Sequence, residues 1–175
     1  MPRALLALLA LLTACAPQGP PAPDFTLTDQ HGASWSLAAQ HGRGIALFFG
    51  YTHCADTCPA TLAKLETALA GKPNAEIAFV TVDPRRDTPP VLARYLSRFA
   101  RVPVAGLTGT TAAIDAVEKR YHVWAQRVPG PRGGLQYDEA HTAMVFLIDR
   151  DGRMSMTFDD SDTVAGMSAA IRKAL

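Results

Sequence analysis

Two stretches of this 175-residue chain constrain its fold more than any other: Ile45–Tyr51 (IALFFGY) is a continuous apolar run, and Ile77–Val82 reads the same way. Alternation of apolar and polar residues marks a strand with one wet face, whereas an unbroken run marks a strand covered on both. Strands of that kind need helices above and below. The chain supplies them: Pro59 to Ala70 carries Leu62, Leu65 and Leu69 on one stripe, with Pro59 near its first turn. Thr88 is placed to cap a second helix through Phe99, with Val91, Leu92, Tyr95, Leu96 and Phe99 facing inward. Thr110 or Thr111 opens a third, which uses Ile114, Val117 and Tyr121.

The flanks read as strands and turns. Phe25–Leu27 and Trp35–Leu37, separated by Asp29-Gln30-His31-Gly32, predict a short β-hairpin. After the loop Pro129–Gly134 a strand is expected over Ala143–Ile148. The Asp151-Gly152 turn then leads into the alternating strand Met154–Phe158, and a helix from about Val164 closes the chain. No internal repeat or domain linker is visible. This order predicts an α/β fold: a thioredoxin-like sandwich with a central mixed β-sheet flanked by helices and an N-terminal β-hairpin extension, over residues 24–175.

Apolar residues make up 48% and charged residues 19%, which excludes disorder as a description of the whole. Seventeen basic against sixteen acidic side chains leave a formal charge of +1 with no basic stripe, so no nucleic-acid partner is expected.

The first residues read as an address. Arg3 precedes the eleven-residue run Ala4–Ala14 (ALLALLALLTA), too short for a span that needs about twenty residues, so 1–14 reads as a signal-peptide core. It ends in Leu12-Thr13-Ala14-Cys15, which resembles the lipobox of bacterial lipoproteins; ordinary secretion, with Ala14-Cys15-Ala16 as an A-x-A site, is the alternative. The first reading makes Cys15 a lipidation site. Residues 15–23 would then form a lipidated cysteine and proline-rich tether, holding the domain outside the cytoplasm at the membrane, most simply on the periplasmic side of the cytoplasmic membrane.

Two thiols then remain. Cys54 and Cys58 fall just past the end of a central strand and at the start of the next helix, where open α/β sheets place their sites. A helix N-terminus favours thiolate over thiol. If the intervening turn is helical, i and i+4 put the Cβ atoms about 5–6 Å apart, which suits two sulfurs on one soft metal ion and can close to a disulfide after a small approach. Buried structural cysteines and a structural disulfide are the plainer alternatives. A third donor separates metal from redox chemistry. His141 stands just before the strand Ala143–Ile148, in a loop where thioredoxin-type oxidoreductases carry a cis-proline and this chain, Ala140-His141-Thr142, carries none. Two thiolates and one imidazole match Cu(I) well and tolerate Cu(II) or Zn(II).

Phe49-Gly50-Tyr51-Thr52-His53-Cys54-Ala55-Asp56-Thr57-Cys58-Pro59 resembles the F-G-Y-T-x-C-P-D-x-C-P signature of the Sco (SenC) family of copper chaperones. Val82-Asp83-Pro84-Arg85-Arg86-Asp87-Thr88-Pro89 is similar to that family's V-D-P-x-R-D-T-P block. Gly106–Gly109 and Tyr137–Asp149 match two more. The resemblance covers Asp24 to the end. It implies a thioredoxin-like fold, copper ligands at Cys54, Cys58 and His141, and a metallochaperone rather than an enzyme. The implied task is to supply copper to, or reduce the cysteines of, the dinuclear CuA site of cytochrome c oxidase subunit II. Another periplasmic copper chaperone and a thioredoxin-like reductant are the further partners it implies. In the alternative, a thiol–disulfide reductase, Cys54 attacks and Cys58 resolves. Ala55 departs from the family's proline and Ala140 from its aspartate, which removes a carboxylate beside the histidine. His53 is read as an exposed loop side chain, and Asp83, Arg86 and Asp87 as caps and ion-pair partners, with orientation of the site loop as the alternative. Met144, Met154, Met156 and Met167 are read as packing residues rather than copper donors.

Overall fold

The computed structural model describes residues 19–129 and 137–175. The signal segment, Cys15 and the loop residues 130–136 fall outside the described residues. Five strands form the central sheet, in the order β5 (Val104–Leu107), β4 (Ala75–Thr81), β3 (Gly44–Gly50), β8 (Val145–Ile148) and β9 (Met154–Phe158). Strand β3 lies at its centre, parallel to β4, which is parallel to β5; β8 runs antiparallel to β3, and β9 antiparallel to β8. All seven residues of β3 and all seven of β4 are buried, as the apolar stretches Ile45–Phe49 and Ile77–Val80 require, with Glu76 and Thr81 as buried polar residues at the ends of β4.

Four helices cover the sheet. Helix α1 (Thr57–Leu69) packs beside α4 (Val164–Ala174) and against β4, while α2 (Pro89–Leu96) packs on β5. Helix α3 (Thr111–Arg120) is capped by Thr110, whose hydroxyl accepts from the Ala113 N–H. Thr88 occupies the cap position of α2 but its side chain accepts no capping bond. That helix stops at Leu96 rather than Phe99: after Ser97 the i→i−4 ladder gives way to a tighter turn, with the Phe99 N–H donating to the Leu96 carbonyl. The expected N-terminal hairpin is β1 (Thr26–Thr28) with β2 (Ser34–Ser36). No helix among the described residues is long and apolar enough to cross a membrane.

Neighbouring residues of a strand point to opposite faces. Phe48 accordingly meets Phe79, with centroids 5.9 Å apart. Phe49 meets Tyr121 (5.7 Å) and Phe146 (6.1 Å) on the other face, where Tyr121 also touches Phe25 of the hairpin extension. Burial of each such ring contributes roughly 2–3 kcal/mol, so this aromatic cluster locks the extension onto the sheet. The same alternation carries on past Phe49 and fixes the directions of Gly50 and Tyr51.

One pair of strands has no counterpart in the sequence reading. Strand β6 (Ala125–Pro129) pairs antiparallel with β7 (Tyr137–His141), Ala125 opposite His141 and Pro129 opposite Tyr137. His141 therefore ends a hairpin strand, and β8 starts only at Val145. The N-terminal segment is also bound rather than free from Gly19 on. Pro20 O accepts from Met154 N–H, Ala22 N–H donates to Gly152 O, and Arg153 donates to Gly19 O, so the segment lies along the β8–β9 turn.

Candidate metal centre

Strand β3 ends at Gly50, and the loop Tyr51–Asp56 leads into α1. Gly50 turns toward the cysteines. A Cβ there would stand 2.8 Å from the Phe79 ring and 3.0 Å from Cys58 Sγ, so only glycine lets strand and helix approach this closely. Helix α1 begins at Thr57, two residues before Pro59, which places Cys58 inside the first turn and Pro59 where a missing N–H costs nothing. Cys58 is fully buried and Cys54 partly exposed; both are free thiols.

The turn between them is not helical at Cys54. Instead the Cys58 N–H donates to Cys54 Sγ at 3.2 Å, so the sulfur takes a capping role that the Asp56 side chain does not. Cys54 is drawn down to about 5 by the Cys58 thiol that donates to it. Burial opposes this, while the N–H groups of Cys58 and Asp56 and the charge of His141 assist. Cys58 is pushed up by the same hydrogen bond and by burial, and keeps its proton. One sulfur is thus an accessible thiolate and the other its buried proton donor. Alkylation of Cys54 should run at a constant rate, once corrected for reagent, from pH 8 down to 6 and fall tenfold per unit below about 5. A mass-spectrometric pH series on the reduced protein measures this, and a midpoint near 8.5 would contradict it.

Tyr51 turns the other way, toward the hairpin. Its hydroxyl donates to Asp138 Oδ1, and its ring meets that of His141 edge to face at 5.5 Å. Burial and this carboxylate push the Tyr51 hydroxyl pKa up. His141 Nδ1 lies 3.4 Å from Glu139 O, while its Nε2 is buried with no hydrogen-bond partner. The hairpin thus brings His141 to the thiol end of the sheet. Among the described residues, however, no three His, Cys, Asp or Glu side chains stand close enough together to hold a metal ion.

The Val82–Pro89 segment does more than cap and pair. Asp87, wholly buried, accepts from the Thr52 N–H (2.9 Å), the Thr52 hydroxyl (2.6 Å) and the Thr81 hydroxyl (2.6 Å), which ties the cysteine loop to β4. Burial is the main reason its carboxyl is raised above the usual range. Asp83, also buried, pairs with Arg86 Nε and accepts from the Tyr137 hydroxyl at 2.8 Å. Arg86 donates to the Tyr137 carbonyl at 2.9 Å and stacks on its ring at 3.8 Å. Arg127 covers the other side of that ring at 4.0 Å and pairs with Glu139. The sequence reading missed Tyr51 and Tyr137 as positioning groups; the aspartates, which lie in apolar surroundings and must find donors, were the available signal. His53 is exposed, as expected, with Nδ1 4.0 Å from Asp87.

A family model described as SCO1/SenC matches residues 16–175. A SCO2-like protein of Rickettsia felis is 35% identical over 134 residues, covering 74% of this chain, and the chain spans 65% of that relative's length. The mitochondrial SCO2 homolog of Homo sapiens is 32% identical over 171 residues, 94% of this chain and 62% of its own. Among solved structures, Bradyrhizobium japonicum ScoI with copper bound superimposes with a TM-score of 0.78 at 37% identity, covering 89% of this chain and all of that one. The chain is similar to each of these and spans less than two thirds of the two curated relatives.

Proposed function

The chain belongs to the SCO1/SenC family, and from that premise we propose that it is a membrane-anchored copper metallochaperone that binds copper through Cys54, Cys58 and His141 and serves assembly of the CuA centre of cytochrome c oxidase. One observation carries the reading: a thiolate and its thiol partner sit at one end of the sheet, where an imidazole nitrogen is buried without a hydrogen bond. A buried polar atom with no partner costs about 1–3 kcal/mol. A metal ion accepting electron pairs from that nitrogen and the two sulfurs removes the cost. Copper is the cargo here, and soft sulfur with one imidazole suits it. Closing the set requires the His141 ring, or the hairpin that carries it, to move toward the thiols. Cys54 lies at the protein's edge, so its bond to copper is the one an acceptor's thiolate exchanges first.

Residues 1–14 act in this reading as a lipoprotein signal and Cys15 as the lipidated residue, which places domain 24–175 on the outer side of the cytoplasmic membrane. Titrating Cu(I) into the reduced protein, and recording the thiolate-to-copper absorption of the Cu(II) form, tests the proposal. One-to-one binding that disappears when Cys54, Cys58 and His141 are all replaced supports it. Binding that survives the triple change refutes it.

A second reading is favoured by the inequality of the two thiols. A partly exposed thiolate beside a buried protonated thiol is the arrangement of an attacking and a resolving cysteine, so the protein reduces the cysteines of the CuA-site subunit or of another exported partner. Reductase activity undiminished in His141→Ala, without copper, distinguishes it.

A further inference from the structure

Three arginines of this protein pair with buried or half-buried carboxylates: Arg43 with Glu76, Arg86 with Asp83, Arg127 with Glu139. Two on α2 and just past its end do not. Arg94 and Arg98 have no carboxylate within 4 Å among the described residues. Both line an open cavity of about 380 Å³ with Val91 and Tyr95, and its opposite wall is Thr52 and His53, the two residues that lead into Cys54. Arg98 is held in place: its Nε donates to the Tyr95 carbonyl at 3.1 Å and its guanidinium covers the Tyr95 ring at 4.5 Å. Tyr95 itself is only 7% exposed, and its hydroxyl has no hydrogen-bond partner.

We propose that this cavity is a docking site for an acidic segment flanking the cysteine of a protein partner, with Arg94 and Arg98 receiving its carboxylates. The volume lies at the small end of ligand clefts, enough for a few side chains rather than a large cofactor. Two neighbouring guanidiniums without internal counter-ions, one of them held on the Tyr95 ring, favour carboxylates, which they bind in forked pairs. A partner cysteine at Cys54 would bring its neighbouring residues onto Thr52 and His53 and so into the cavity. The inference rests on the reading that Cys54 meets a partner's sulfur, and the cavity sets which partner arrives.

The test uses the reduced protein and two capped single-cysteine peptides, one flanked by glutamates and one by glutamines, each activated as a 2-pyridyl disulfide. The Cys54 thiolate attacks the peptide sulfur, forming the mixed disulfide and expelling pyridine-2-thione. Cys58 then attacks Cys54 Sγ, closing the protein disulfide and releasing the peptide thiol; its proton passes to solvent, and the two cysteines supply both electrons. At low salt the acidic peptide should react about tenfold faster than the neutral one, and the Arg94→Gln/Arg98→Gln variant or about 0.5 M salt should bring the ratio to near one. Because the readout is a ratio, a general change in thiol reactivity cancels. An unchanged ratio in the double variant overturns the proposal. If neither peptide reacts, the partner-thiol reading falls, and binding of the glutamate peptide with serine in place of cysteine decides the cavity separately. Amide shifts at Thr52 and His53 that vanish in the double variant uphold it, and shifts that persist there or never appear overturn it.

Discussion

Cys58→Ser is expected to lower Cu(I) affinity by about 100- to 1,000-fold, because four-donor structural zinc sites are worth roughly 10–16 kcal/mol at neutral pH, about 2.5–4 per donor, and a soft thiolate–copper bond is of that order. Cys54→Ser should lose a similar factor. His141→Ala should lose less, about tenfold for Cu(I), since a neutral nitrogen is the weaker donor to a soft ion, yet it should change the Cu(II) spectrum most. Cys58→Ser has a second effect. It replaces the thiol that donates to Cys54 and releases part of the pressure that keeps Cys54 ionised. The alkylation midpoint of Cys54 should move in that variant, whereas His141→Ala, which removes only the last-ranked contribution, should move it little. Competition titrations against a Cu(I) chelator measure the affinities. Equal affinities for all three variants and the wild type would remove these residues from the copper site.

Arg86→Gln should destabilise the fold by about 3–5 kcal/mol, the usual cost of leaving one member of a buried ion pair alone. Asp83 has no solvent access and would keep only the Tyr137 hydroxyl and nearby groups as partners. The loss should not stay local. Arg86 also holds the Tyr137 carbonyl and ring, so the hairpin carrying His141 loses its main tie to the segment after β4. Lysine at position 86 should recover only part of the stability, because a single ammonium cannot serve Asp83 and the Tyr137 carbonyl with a fork of fixed geometry. Urea denaturation gives the stability, and hydrogen exchange over Ala125–Pro129 and Tyr137–His141 gives the hairpin. Adding Asp83→Asn to Arg86→Gln should restore some of the loss, since the uncompensated charge goes with it. Full stability in Arg86→Gln would show that the pair holds nothing.

The central strands were legible because burial on both faces leaves an unmistakable trace: Ile45–Gly50 has no polar side chain to turn outward. The cysteine pair was legible for a related reason, since it follows that strand and precedes a leucine stripe. The hairpin that carries His141 was not. Its strands contain Gln126, Arg127, Asp138 and Glu139, with no run of apolar residues and no clean alternation, so its pairing rests on backbone hydrogen bonds and on Tyr137 between two arginines. The start of α1 was misjudged by two residues because proline suggested the first turn. The interaction that sets the boundary, an amide donating to a sulfur four residues back, has no propensity of its own. Asp87 was legible as a cap or a group orienting the loop, but not by which contacts. Its actual partners, Thr52 and Thr81, come from two other segments that only the folded sheet brings together.

The segment bound along the β8–β9 turn has a directional consequence. Ile148, next to that turn, pairs with Ile45 at the beginning of β3, whereas Cys54 follows the far end of the same strand. A seven-residue strand is about 23 Å long, so the chain reaching Gly19 from upstream arrives at the opposite pole of the domain from its thiols. Gly19 and the partly exposed Cys54 therefore mark opposite ends of the domain, so that whatever meets the Cys54 sulfur approaches from the side away from the bound N-terminal segment.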